Sequence, residues 1–178
     1  MASINFSNLF TNYIKEHISL PSKELVFLCI GTDRSTGDAL GPLVGHKLSK
    51  SLSKHDGTHI YGTLDEPIHA KNLESQIDRI YNDYKDPFVI AIDACLGRIG
   101  RVGNITIGHG PLSPGAGVNK NLPPIGNIHI MGIVNLGGYM EYMVLQNTRL
   151  QLVMKMADTI ADGINFSMWK INRERLLS

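Results

Sequence analysis

The sequence predicts an α/β protein, a three-layer α/β/α sandwich built around a mostly parallel sheet. Three observations lead there. Two continuous apolar runs, "LVFLCI" at residues 25–30 and "FVIAI" at residues 88–92, are short enough for strands and apolar enough to be buried on both faces. Between and after them run segments whose apolar residues recur at spacings of three and four, the period of a helix. Strands alternating with helices make parallel sheets through right-handed crossovers.

Each element follows from local pattern. Phe6, Leu9, Phe10 and Tyr13 mark an amphipathic helix over residues 4–17, expected on the outside and closed by a turn at Leu20, Pro21 and Ser22. The first strand, residues 25–30, ends in glycine, and a helix over 38–51 follows with Leu40, Leu43, Val44 and Leu48 inward. A short strand at 58–62 precedes a helix over 67–84, with Leu73, Ile77, Ile80 and Tyr81 on one face. The run at 88–92 is closed by Asp93, and crossovers out to the second strand and back to the third give the local order 2-1-3. Residues 97–127 are rich in Gly, Pro and Asn and read as long loops around one strand at 104–107. A strand at 128–133 follows, then one long helix over 139–163 with a methionine-rich core stripe and Gly163 as its stop. The tail from 165 is basic and helical in propensity, with Trp169 as an anchor.

Composition narrows the function. The 178 residues form a single expected domain. Lys and Arg number 17 against 16 Asp and Glu, scattered along the chain, so neither nucleic acid nor an anionic membrane is the expected partner. Cys29 and Cys95 lie in or beside apolar runs and read as free thiols in a reducing cytoplasm. No stretch approaches a signal sequence or the ~20 apolar residues of a membrane span. Whether the chain is a monomer or a homo-oligomer is left open.

The loop after the first strand, "GTDRSTGDALGP", decides the chemistry. A phosphate-binding P-loop has four residues between its glycines and then Lys-Ser or Lys-Thr; here five separate Gly31 from Gly37, and Asp38 follows. Two carboxylates would also repel a phosphate. Asp38 stands where a helix N-cap belongs, which is one sufficient reason for it. Asp93 is harder to explain structurally, because an unpaired charge after four buried residues is expensive. Both follow strands that meet where the chain order reverses, the place where such sheets bind ligands. Two carboxyl groups opposed there have their pKa values pushed apart, one becoming a base for water and the other an acid for the attacked carbonyl.

Three ordered motifs, "GTDRSTGDALGP", "VIAIDACLGR" and "SPGAGVNK", resemble the sporulation proteins of the YyaC type over the whole chain. Over residues 25–160 they also resemble the germination proteases of spore-forming bacteria. The second resemblance implies an atypical aspartic-type endopeptidase acting on small acid-soluble spore proteins or another spore protein, in the cytoplasm of the mother cell or forespore, with Asp38 and Asp93 catalytic. It places the glycine-rich segment 114–118 along the same crevice, so Asp33, Gly115, Gly117 and Asn119 are candidate substrate-binding residues, and Lys120 a further donor. The chain is much shorter than a germination protease and has no evident pro-segment, so zymogen control and tetramer assembly do not carry over. A non-catalytic sporulation factor using the crevice for binding is the competing class.

The expected fold is also that of the hydrogenase maturation endopeptidases, which bind nickel through two acidic residues and a histidine. Asp38 and Asp93 match the first two places. His109 and His129 are the candidates for the third, but neither stands in that family's Ser-Leu-His-Gln context, so no metal and no cofactor is the reading adopted. Asp65 and Glu66 read as first-turn helix stabilisers, and Cys95 as a weak alternative nucleophile without a recognisable base.

Overall fold

The computed structural model describes residues 2–17, 24–52, 55–114 and 122–177. Five strands form one sheet: β1 (Leu25–Cys29), β2 (Thr58–Tyr61), β3 (Phe88–Gly97), β4 (Ile105–His109) and β5 (Ile128–Leu136), in the order β2-β1-β3-β5-β4. All neighbours are parallel except β4, which pairs antiparallel with β5 at the edge. The expected order 2-1-3 is present.

β1 and the first half of β3 are buried on both faces, and the two faces of the sheet carry separate cores. On one, Phe27, Cys29, Ile90, Ile92, Ile128 and Ile130 meet α1 (Ala2–His17), α2 (Leu40–Leu52) and α5 (Leu150–Leu177). On the other, Val26, Leu28, Val89 and Ala91 meet α3 (Leu73–Asp83) and the bridged pair Leu112 and Ile125. Each fully buried aliphatic or aromatic side chain contributes roughly 1.5–3 kcal/mol by leaving water.

Several elements differ from the expectation for reasons of packing. The first helix does not lie outside the core: Phe10 and Ile14 have no exposed surface, and the Phe10 ring sits 6.3 Å from Phe27 of β1. Its buried stripe is Phe6, Phe10 and Ile14, while Leu9 is 56% exposed. The helix expected from Pro67 begins only at Leu73, because Ile68 forms a parallel bridge with Ile30. Asp65 and Glu66 therefore lie in an exposed loop and stabilise no helix terminus. Residues 97–127 hold more regular structure than expected: the end of β3, a 3-10 turn at Ile99–Arg101, β4 and the Leu112–Ile125 bridge.

The long helix expected over 139–163 is two helices, α4 (Glu141–Gln146) and α5. Asn135 of β5 donates through Nδ2 to the Val144 carbonyl (3.3 Å) and to Thr148 Oγ1 (3.1 Å), fastening the C-terminal end of α4. Gly163 does not stop α5. Ser167 Oγ, one turn on, donates to the Gly163 carbonyl (2.8 Å) and to the Ser7 carbonyl of α1 (3.0 Å), so the helix continues as the surface on which α1 packs. Met140 and Met143 are exposed, not core; among the described residues the buried methionines are Met156 and Met168. Trp169 is half-exposed, with the Arg173 guanidinium 5.5 Å from its ring centre. Among the described residues no helix is long and apolar enough to cross a membrane.

Gly31 shows how tightly the site loop is built. Its φ of +144° is one that side-chain-bearing residues rarely adopt, and a Cβ there would stand 2.0 Å from the Asp38 carbonyl oxygen. Gly31→Ala is expected to lower stability by about 2 kcal/mol or more, while Gly100→Ala, whose Cβ meets nothing within 4 Å, changes it by less than ~0.5 kcal/mol. Denaturant titration of the two variants checks this.

Candidate active site

The site forms where β1 stops and β3 continues. The last β1–β3 pair is Cys29 with Ile92, whereas β3 goes on pairing with β5 through Gly97. Asp93 is thus not the end of its strand but the first residue of β3 beyond the end of β1. Its side chain falls on the same face as Val89 and Ala91, and its main chain pairs with Met131.

The loop bearing Asp38 is pinned to this edge by main-chain hydrogen bonds. Ile30 N–H donates to the Ile92 carbonyl (2.7 Å), Gly31 N–H to the Ile68 carbonyl (2.7 Å), and Thr32 N–H to the Asp38 carbonyl (3.1 Å). The loop therefore curls back so that residue 38 lies against its own start. On the far side Gly37 lies against Leu145 of α4, leaving no room for a side chain: a Cβ would be 2.7 Å from Leu145 Cδ2. Asp38 sits inside the 3-10 turn Gly37–Ala39 that leads into α2. The N-cap position belongs to Thr36, which makes no side-chain cap bond, so capping does not account for Asp38.

Electrostatics separates the two acids. Asp93 is densely surrounded by protein although the residue keeps some accessible surface, and burial pushes its carboxyl up to about 8. The Ala94 N–H, donating to Asp93 Oδ1 at 2.8 Å, opposes this, and the negative charge of Asp38 adds to it. Asp38 is also raised by burial, and the Ser35 hydroxyl works the other way, favouring its charged form. Ser35 Oγ is buried without a hydrogen bond of full geometry, so this contact with Asp38 is loose. Ser35 is not among the residues the motifs single out; its place three residues before Asp38 in the same tight loop is the signal that points to it. Burial and the Asp93 charge both raise the Cys95 thiol, which disfavours the thiolate a cysteine nucleophile needs.

The remaining candidates separate clearly. Asp33 is exposed at the outer turn of the loop. Gly115, Gly117, Asn119 and Lys120 lie outside the described residues, between buried Pro114 and half-buried Leu122. His109 ends β4 opposite Ile128, near the start of β5, and its ring stacks on Tyr13 at 4.4 Å. His129 pairs across from Ala91, two residues before Asp93, and its Nδ1 donates to the Gly110 carbonyl (2.9 Å). Among the described residues no three His, Cys, Asp or Glu side chains are grouped to hold a metal ion. Two acids without a third donor among the described residues do not fit the nickel set.

A cluster of exposed apolar side chains starts at the last residue of β5 and continues beyond it at the same edge: Leu136, Tyr139, Met140, Tyr142 and Met143, with Tyr139 97% exposed. Gly137 N–H donates to the Gly97 carbonyl (2.8 Å), tying this segment to the end of β3.

Comparison with known proteins agrees with this architecture. The profile of the family described as "Protein of unknown function (DUF1256)" matches residues 1–163. The chain belongs to the DUF1256 family. This DUF1256 chain is 58% identical over 146 residues to the "Uncharacterized protein YyaC" of Bacillus subtilis (strain 168), covering 82% of this chain and 70% of the relative. The expected likeness to proteins of the YyaC type therefore holds. Among solved structures, its fold is similar to that of the [NiFe] hydrogenase maturation protease HycI from Thermococcus kodakarensis KOD1, with a TM-score of 0.61, 19% identity and coverage of 89% of this chain and 97% of the other. At that identity the likeness establishes the α/β fold alone.

Proposed function

We propose that this protein is an aspartic-type endopeptidase in which Asp38 is the general base and Asp93 the general acid. What supports the reading is the placement of both acids at one sheet edge, Asp38 in the turn pinned to the end of β1 and Asp93 on β3 just beyond it, with burial raising both carboxyl groups and the Asp38 charge adding to the rise of Asp93 to about 8. In this reading Asp93 keeps its proton at neutral pH, and Asp38, whose charged form the Ser35 hydroxyl favours, is assigned the role of the ionised base. Asp38 takes a proton from water as the water attacks the scissile carbonyl carbon. Asp93, whose Oδ1 is occupied by the Ala94 N–H, donates from Oδ2 to the carbonyl oxygen that gains charge. Asp38 then passes its proton to the departing amine as the C–N bond breaks, and the diol hydroxyl returns its proton to Asp93 as the carbonyl re-forms, so both acids regain their starting states.

The substrate class is a polypeptide. An open sheet edge with exposed Tyr139, Met140, Tyr142 and Met143 beside the acids supports a peptide with apolar residues near the cut. The resemblance to germination proteases extends the reading to a role in sporulation or germination, with spore proteins as substrates. The protease named in the fold comparison is consistent with this class.

The test is an assay of purified protein on small acid-soluble spore proteins, with mass spectrometry of the products and a pH profile. The account predicts discrete internal cleavage, with kcat/KM falling about tenfold per pH unit above pH ~8 as Asp93 loses its proton. Absence of cleavage, or activity that keeps rising through pH 10, contradicts the assignment.

A further inference from the structure

A second feature lies away from the acids. A groove of about 790 Å³ follows the outer edge of β2, lined by Thr58–Tyr61 together with Ser49, Ile68, Gln76, Arg79 and Tyr84. Among the described residues β2 is an edge strand, paired with β1 alone. Leu25 N–H donates to the Gly57 carbonyl, so the alternation of a parallel ladder turns the main chain of His59 and Tyr61 toward β1. Thr58 and Ile60 face outward. Thr58 N–H is used by the His55 carbonyl (3.1 Å), which leaves the Thr58 carbonyl and both main-chain groups of Ile60 directed into the groove.

The wall on the α3 side is preorganised. The His59 ring stacks on Tyr84 at 4.1 Å, Tyr61 Oη donates to Tyr84 Oη (3.3 Å), and the Arg79 guanidinium lies 6.0 Å from the Tyr61 ring centre. We propose that this groove is a docking site for an extended polypeptide segment of another protein, which adds as a sixth strand on the outer edge of β2 through the main chain of Thr58 and Ile60. Main-chain recognition of this kind is tolerant of sequence.

The recess selects the occupant. An edge sunk between α3 on one side and α2 on the other admits a single extended chain. The groove also leads toward the acids: its wall residue Ile68 bridges Ile30, one residue before the loop that carries Asp38. An added strand lies three strand spacings from β3, ~14 Å, which roughly four or five extended residues cross. Its role as a remote hold on a substrate rests on the peptidase reading; the docking itself does not.

Amide NMR of labelled wild-type and Asp38→Asn protein tests it. The probes are reduced, carboxymethylated α-lactalbumin, a permanently unfolded chain, and overlapping peptides of about eight residues from it. Expected are shifts at Ile60 and its neighbours, and at least tenfold weaker binding when alternate peptide nitrogens are methylated but not when the interleaved ones are. Gln76→Trp, filling the groove from α3, lowers affinity at least tenfold; Ser49→Trp fills it from α2 should Gln76→Trp fail to fold. Tolerance of every methylation, shifts at Ala94 in place of Ile60, or Ile60 shifts that follow protein concentration without probe would overturn the proposal. Shifts at Ile60 in a wild-type protein that cleaves no spore protein remove the peptidase reading alone, and cleavage of spore proteins without shifts at Ile60 removes the groove alone.

Discussion

Asp38→Asn and Asp93→Asn are each expected to reduce peptide hydrolysis by about 10²–10⁴-fold in kcat, the range general acid–base groups supply. The two substitutions keep shape and remove one function apiece. An amide in place of the Asp38 carboxylate takes no proton from water. In Asp93→Asn the amide oxygen still accepts the Ala94 N–H, so the strand keeps its geometry there, but the amide nitrogen donates weakly to a developing oxyanion where a neutral carboxyl would protonate it. Because the groups act as a pair, the double variant should be little worse than either single one. An additive loss, or an unchanged rate in either single variant, removes the acid–base pair. Spore proteins with identified cut sites serve as substrate, since a change of cut site would reveal a contaminating protease.

Asp93→Asn carries a second large effect, of opposite sign, on stability. Asp93 has its folded-state pKa raised to about 8, against ~3.9 in an unfolded chain. Between those values the folded protein binds a proton that the unfolded chain has released, so stability falls as pH rises through that window. Above about pH 8 the loss is complete. Asparagine carries no charge to bury, so the variant escapes the loss. Each pKa unit corresponds to ~1.4 kcal/mol, and a difference of a few kcal/mol at this chain length moves Tm by roughly 5–10 °C. The variant should melt higher than wild type at pH ~8.5, with the gap closing toward pH ~4. A more stable but inactive variant is the expected signature of a residue kept for chemistry at the expense of folding. A variant that melts lower under the same alkaline conditions would mean that Asp93 is a structural anchor.

Much of this arrangement is legible in the chain. The runs at 25–30 and 88–92 can be little else than buried parallel strands, and their order alone puts Asp38 and Asp93 at one sheet edge. Strand and helix ends are less legible, because they depend on distant partners. Asp93 looks like a stop signal, yet β3 continues because β5 still pairs with it on one side. Gly163 looks like a helix terminus, yet α1 packs against that stretch and carries α5 onward. The division of α4 from α5 depends on Asn135, contributed by another element. Asp38 is readable equally as a cap or as a site residue; only the 3-10 turn, with Thr36 at its start, separates the two. The groove along β2 is invisible in the sequence, since its walls come from α2, α3 and the 62–69 loop together.

The central claim is that Asp93 is uncharged at neutral pH and is held so in part by Asp38. Carbon-13 NMR titration of the aspartate carboxyl carbons, with Asp93 assigned by its loss in Asp93→Asn, measures this directly. The account predicts a midpoint for Asp93 at about 8 in the wild-type protein and a lower one in Asp38→Asn. A midpoint at the ordinary carboxyl value of about 4, or one that does not move when Asp38 is replaced, would contradict it.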